Sequence, residues 1–184
     1  MTPSWHTGNF RPLAKNAGYA RVFRQCHQTT DPISHRTAQQ NLLFREMVIH
    51  FVCRGNTHRS RLAEAYAKSR ILELDEITIL SSGIEADRDL NGPIMPFVKL
   101  LLQDENMLQL TGTNWTQTNQ LLIDHSDALV FMNDDVYEDS MKQFDIPLSI
   151  SQTWQIADIQ GVFGLIRSSV DTLLSQLQIV GPDR

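Results

Sequence analysis

The chain has 184 residues, 41% hydrophobic and 20% charged, which reads as one soluble globular domain with a single core. No apolar run approaches the ~20 residues needed to cross a bilayer, which excludes a spanning helix, and the first thirty residues lack the basic-then-apolar order of a signal peptide. The net charge of −5 hides an asymmetry: residues 1–46 hold six Lys/Arg against two acids, and residues 47–184 hold ten against nineteen. Two cysteines, Cys26 and Cys53, provide no disulfide framework, and a working thiol needs a reducing compartment, so the expected location is cytoplasmic.

Residues 1–46 are rich in Gln, Thr, Asn, His and Arg, with apolar residues in no period, and read as a poorly ordered extension. From Met47 onward, strand and helix signals alternate. Met47 to Val52 is an apolar strand, and the loop Cys53-Arg54-Gly55-Asn56-Thr57-His58-Arg59-Ser60 leads into a helix expected over about 60–74. That helix turns Leu62, Ala65, Tyr66, Ser69 and Leu72 to one face and pairs Glu64 with Lys68 at i,i+4. Ile77 to Leu80 is a short β-branched strand, followed by a turn at Ser81-Ser82-Gly83-Ile84. A helix is expected from Asn91-Gly92-Pro93 to about Met107, another ends at Leu122-Ile123, and Asp127 to Met132 is a central strand. Val162 to Leu177 closes the chain as a helix. This alternation predicts an α/β three-layer sandwich: a small parallel sheet of about four strands, Rossmann-like, with helices on both faces. There are no internal repeats and no low-complexity segment.

A strand that ends, a turn whose N–H groups point inward and a helix N-terminus facing the same space together make an anion cradle. In it, Arg59 offers a planar fork to two oxygens of a tetrahedral oxyanion, and Gly55 allows close backbone approach. Cys53 at the base would be held as a thiolate by the same donors.

Val52-Cys53-Arg54-Gly55-Asn56-Thr57-His58-Arg59-Ser60-Arg61-Leu62-Ala63-Glu64-Ala65 closely resembles the active-site loop of the low-molecular-weight protein tyrosine phosphatases, which reads V-C-x-G-N-x-x-R-S followed by x-x-A-E-A. The resemblance implies a cysteine-dependent phosphatase that hydrolyses phosphomonoesters, phosphotyrosine-type, through a phosphocysteine. Cys53 would be the nucleophile. Residues Arg54, Gly55, Asn56, Thr57, His58, Arg59 and Ser60 would bind the phosphate. Ser60 resembles the Ser that donates to the thiolate, Asn56 the Asn that fixes the loop, and Ser82 the Ser beside that Asn.

The mechanism also needs a carboxylic acid that protonates the leaving oxygen and then activates water, help worth ~10²–10⁴-fold. Trp154-Gln155-Ile156-Ala157-Asp158-Ile159-Gln160-Gly161 resembles the family's W-x-I-x-D-P-x-G loop, which makes Asp158 the candidate. Ile159 stands where Pro is usual, and the aromatic residues that sandwich a phenyl ring appear only as Gln160 and a displaced Phe163. The other reading of Asp158 is an N-cap of the last helix; Asp145, beside Ile146-Pro147, is the reserve acid.

A family His and Arg fall at about Thr113 and Thr116, Asn133 replaces an acid, and His58 replaces a second Cys that forms a protective disulfide in many relatives. Met47 sits where family chains usually begin. Three readings of residues 1–46 stay open: sequence upstream of the true start, a basic tail for an anionic partner, or a short helix near Asn41 to Glu46 on the domain. Arg54, Arg59 and Arg61 would crowd one rim and favour acidic-flanked phosphates, or Arg54 and Arg61 would point to water.

No cofactor is expected, and the histidines, His125 among them, lack metal-ligand spacing. The expected partner is a phosphorylated protein, phosphoarginine or a small phosphate ester, with no nucleic acid and no membrane; the oligomeric state is open. Two alternatives remain: a catalytically weak phosphate-binding or regulatory protein, and an arsenate-reductase-like enzyme resolved by an external thiol, since no cysteine follows Cys53.

Overall fold

A computed structural model describes residues 46–179 apart from 73, 75 and 89–91. The chain divides at the first strand, into Met1–Glu46 and Met47–Arg184. The readings of residues 1–45, the helix near 41–46 included, lie outside the described residues.

Four parallel strands, β1 (Met47–Cys53), β2 (Ile77–Gly83), β3 (Ala128–Phe131) and β4 (Ser151–Thr153), form one sheet in the order β2-β1-β3-β4. Five helices connect or follow them: α1 (Arg59–Arg70), α2 (Pro96–Asp104), α3 (Gln120–Asp124), α4 (Asp134–Gln143) and α5 (Phe163–Gln176). Register is in step along the whole of β1, from Met47 opposite Ile77 to Cys53 opposite Gly83.

Because side chains alternate across a strand, β1 feeds two cores at once. Ile49, Phe51 and Cys53 pack with Leu62, Ala65 and Tyr66 of α1, Val98 and Leu102 of α2, and Ile166, Val170 and Leu173 of α5. Val52 joins Leu129 and Phe131 of β3, Ile123 of α3 and Val136 of α4 in the second core. Both faces are covered, as the α/β sandwich requires. α1 and α5 are further tied by the Tyr66 ring edge-on to Phe163 at 6.2 Å, by Arg167 over both rings, and by Tyr66 Oη donating to Asp171 at 3.0 Å.

Several element ends differ from expectation for local reasons. α1 stops at Arg70, because the buried Ile71 turns its N–H onto Lys68 O at 3.2 Å and the chain reverses toward β2. Leu72 is therefore 69% exposed and takes no part in the helix face. The Glu64–Lys68 pair does form, at 2.6 Å. α2 begins at Pro96 rather than near residue 91: proline is favoured at the first helical position and pushes the preceding residue, Met95, to extended backbone (ψ 139). The chain leaves the helix at Asn106, whose φ of 56 is left-handed. Ser81, Ser82 and Gly83 belong to β2 rather than to a turn. α4 was not foreseen; Asn133 caps it by accepting from Val136 N at 3.1 Å, and Asp134 and Asp135 sit in its first turn.

Candidate active site

Cys53 ends β1, Arg59 opens α1, and the five residues between them wrap around the sulfur. The loop's carbonyls are engaged outward. Cys53 O accepts from Ile84 N (3.1 Å), Arg54 O from Glu85 N (2.9 Å), Thr57 O from Met95 N (3.0 Å), and Asn56 O from Arg61 Nε (3.0 Å). With their oxygens turned away, the loop's N–H groups are left for the interior; that of Asn56 donates to Cys53 Sγ at 3.1 Å.

Asn56 adopts φ 53, which Asn tolerates better than most residues. Its side chain is fully used. Nδ2 donates to Ser60 Oγ (3.0 Å) and Ser81 Oγ (2.9 Å), while Oδ1 accepts from Thr116 N (2.8 Å). Since Ser60 accepts from Asn56, its own hydrogen is free for Cys53 Sγ, 2.9 Å away. Two donors thus converge on the sulfur of a residue that is 3% exposed.

Above the sulfur lies a cavity of about 330 Å³, lined by Cys53 and loop residues and by Glu85, Arg88, Met95 and Asp158. Asp158 arrives from the far end of the sheet. After β4, Trp154 N donates to Phe131 O (2.8 Å) and Ile156 N to Met132 O (2.9 Å), so the segment runs toward the loop; Arg59 Nη1 then holds Ile156 O at 3.0 Å. Asp158 Oδ1 ends 2.8 Å from His58 Nδ1 and 3.4 Å from Arg59 Nε. The hydrogen bond from His58, helped by Arg59 and opposed by burial, holds the Asp158 carboxyl below the usual range. Arg59 Nε is buried and makes no hydrogen bond, its 3.4 Å approach to Asp158 being an ion pair.

The structure brings Asp158, not Asp145, to the cysteine. Asp145 is exposed and bonds through its backbone to the Gln120 side chain, at 2.9 and 3.0 Å, and the N-cap position of the last helix is Val162, which makes no side-chain cap bond, rather than Asp158. A family model described as low molecular weight phosphotyrosine protein phosphatase matches residues 48–150. The chain belongs to this family.

Solved phosphatases share the fold at low identity. A low molecular weight protein tyrosine phosphatase from Streptococcus pyogenes is 23% identical, with TM-score 0.59, covering 74% of this chain and 95% of that one. A protein tyrosine phosphatase from Entamoeba histolytica is 17% identical (TM-score 0.60; 75% and 99% covered). The arginine phosphatase YwlE, known from Bacillus subtilis, is 22% identical (TM-score 0.56; 72% and 92% covered). A search of curated proteins finds no match.

In this phosphatase the support behind the loop departs from what the motif implied. The serine beside Asn56 is Ser81, not Ser82, because alternation along β2 turns only one of the two toward the loop. Ser82 faces the second core instead, 2.7 Å from His50 Nε2 and 2.6 Å from Thr118 Oγ1. His50, fully buried, has Ser126 Oγ 3.2 Å from Nδ1; Ser126 spends its hydrogen on Leu122 O (2.7 Å), so Nδ1 carries the proton and Nε2 accepts from Ser82. Burial pushes the His50 pKa down from 6.5 to about 4. Thr116 contributes its backbone N–H to Asn56, and no side-chain hydrogen bond of Thr113 or Thr116 appears among the described contacts.

The rim of three guanidinium groups does not form. Arg61 turns inward, 2% exposed, to Asn56 O, to Thr111 Oγ1 (3.1 Å), to Glu64 (3.5 Å) and to the Asn114 carbonyl. Arg54 stays at the mouth but is clamped between Glu85 (3.0 Å) and Asp139 (2.8 Å), which offset its charge. Sequence reasoning misplaced Arg61, which turns neither to the rim nor to water, and missed His50 and the His58–Asp158 pair. The available signals were a histidine inside an apolar strand and an arginine one turn before Glu64 on a helix of small residues. Among the described residues no helix is long and apolar enough to cross a membrane, and no group of three or more His, Cys, Asp or Glu could hold a metal.

Proposed function

We propose that Cys53, Arg59 and Asp158 carry the chemistry of this chain, which by its family is a cysteine-dependent phosphatase acting on phosphorylated proteins or small phosphate esters. Cys53 Sγ attacks phosphorus; the S–P bond forms as the P–O bond to the leaving group breaks, and Asp158 gives its proton to the departing oxygen. Arg59 and the inward N–H groups of residues 54–59 hold the three remaining oxygens, whose charge grows in transfer. Asp158, now a carboxylate, takes a proton from water as that water attacks phosphorus and the thiolate departs. Inorganic phosphate is released. Bound phosphate, itself anionic, opposes the effect of His58 on Asp158 and favours the protonated form the first step needs.

The observation that carries this reading is the pairing of a buried sulfur, with donors from Asn56 N and Ser60 Oγ, and a carboxylate across the same cavity. Among the described residues no Phe, Tyr or Trp lines that cavity, and Phe163 is buried against Tyr66 instead. The mouth is charged, with Arg54, Glu85 and Arg88. Such a wall gives a phenyl ring little to stack on and suits a polar or charged leaving group, so phosphoarginine belongs beside phosphotyrosine in any substrate comparison. A reducing compartment, the cytoplasm, goes with the free thiol.

The direct test is release of inorganic phosphate from an aryl phosphate by the wild-type chain and two variants. Cys53→Ser should abolish turnover and retain phosphate binding, and Arg59→Lys should lose both, because lysine lacks the planar fork. Turnover persisting in Cys53→Ser would remove the phosphocysteine. Asp158→Asn should slow esters with poor leaving groups by ~10²–10⁴-fold and those with good ones far less; an equal loss on both would assign Asp158 a structural part only.

A further inference from the structure

His58 stands at the C-terminal end of the phosphate loop, 5% exposed, with Nδ1 2.8 Å from Asp158 Oδ1. A carboxylate only accepts, so Nδ1 carries the hydrogen. The other ring nitrogen, Nε2, is buried with no hydrogen-bond partner, and Phe97 of α2 packs edge-on against the ring with centroids 4.8 Å apart. The imidazole is thereby locked on one side by packing and aimed on the other.

Asp158 is the opposite case. Its side chain is 62% exposed, on a stretch between β4 and α5 without regular structure, and its neighbours Ala157, Ile159 and Gln160 are exposed as well. A carboxylate so placed would spread over several rotamers, and an acid an ångström out of place loses much of its effect. We propose that His58 is the positioning residue for the acid: its Nδ1–H holds the Asp158 carboxyl group over Cys53, where the protonated group gives its proton to the leaving oxygen. This rests on the reading of Asp158 as that acid. One short loop would then fix both reacting groups, Asn56 and Ser60 holding the sulfur and His58 the carboxyl.

The same hydrogen bond is the main reason the Asp158 carboxyl lies low. Among the described residues the other charged or titratable groups of the cavity wall are Cys53, Arg54, Arg59, Glu85 and Arg88, while α2 presents the Phe97 ring to His58. Freed from His58, the carboxyl would keep its proton to higher pH.

The experiment measures kcat/KM against pH, on aryl phosphates with good and with poor leaving groups, for the full chain and for His58→Phe, His58→Gln and His58→Asn. His58→Phe should lose up to about 10²-fold on poor leaving groups and clearly less on good ones, and the basic limb of its profile should move to higher pH. His58→Asn, whose amide N–H lies near the position of Nδ1, should recover most of both. His58→Gln keeps a polar side chain but displaces the donor by a methylene, so it should behave like Phe and serves if Phe does not fold. The proposal is overturned if leaving-group dependence and basic limb are the same in all variants, or if Asn recovers no more than Gln. Absence of turnover in the wild-type chain overturns both the phosphatase reading of the site and this proposal; normal wild-type turnover with unaltered His58 variants removes this proposal alone.

Discussion

A methyl group on Gly83 would meet Arg54 O and Asn56 N at 2.6 Å and Gly55 C at 2.8 Å, all of them backbone of the phosphate loop. Neither side can yield: the glycine is in β2, paired with Cys53, and the loop is pinned by its outward carbonyls. Gly83→Ala is expected to cost about 1–3 kcal/mol in urea unfolding and to weaken inorganic phosphate inhibition more than stability alone explains. Unchanged inhibition in the folded variant would show that the loop moves freely over β2. His50 sets a second residue-scale expectation. With its pKa lowered to about 4, the folded protein resists a proton that the unfolded chain accepts near 6.5, so the neutral ring's contribution is present above pH 6.5 and is lost as pH falls toward 4. The loss amounts to about 3 kcal/mol at most. His50→Gln should flatten the fall in stability between pH 7 and 4.5, and an equally steep fall in that variant would assign the acid sensitivity to other groups.

At the scale of elements, α1 shows how a charged helix comes to be buried. Arg61 and Glu64, a turn apart and both buried, are joined by Lys68 at one end and by Ser81 of β2 and Thr111 at the other; Ser81 Oγ and Thr111 Oγ1 donate to Glu64 Oε2 at 2.6 and 3.1 Å. Arg61 also reaches Asn56 O, so this ion-pair network is the outer support of the phosphate loop. Arg61→Met would leave Glu64 without its buried partner, and the expected cost is about 3–5 kcal/mol. Arg61→Met together with Glu64→Leu should recover part of it; a double variant no more stable than the single one would mean that loop support, not charge pairing, is what Arg61 supplies.

For the whole molecule, the question is what the sheet needs. β1 begins at Met47, its hydrogen bonds run to β2 and β3, and both cores among the described residues are built from residue 47 onward. The family match begins at residue 48, and relatives are covered over 92–99% of their length by 72–75% of this chain. A chain beginning at Met47 is therefore expected to melt within a few degrees of the full one and to keep its kcat/KM. A fall of more than about 8 °C, about 2 kcal/mol for a domain of this size, would show that residues 1–46 contribute to the fold.

Local order along the chain was legible in the sequence. An apolar strand, a turn with Gly55 and Asn56 and a helix start with Leu62-Ala63-Glu64-Ala65 set the loop around Cys53, because each follows from neighbours within one turn or one strand. The alternation of strand and helix likewise gave the parallel sheet and its helices on both faces. Element ends were less legible where one residue outweighed a period: Pro96 starts α2 and Ile71 ends α1. What the sequence left open were pairings between distant segments. Which serine of β2 faces Asn56 depends on strand register, and Arg61, read as turned to the rim or to water, points inward because of Thr111 and Asn114, about fifty residues away. That His58 meets Asp158, a hundred residues on, was decided by the sheet order, which sets β4 beside β3 and sends the following segment back over the loop. Residue type and spacing determined which chemistry the chain carries; only packing across the sheet determined which groups hold that chemistry in place, because contact between such distant residues has no local cause.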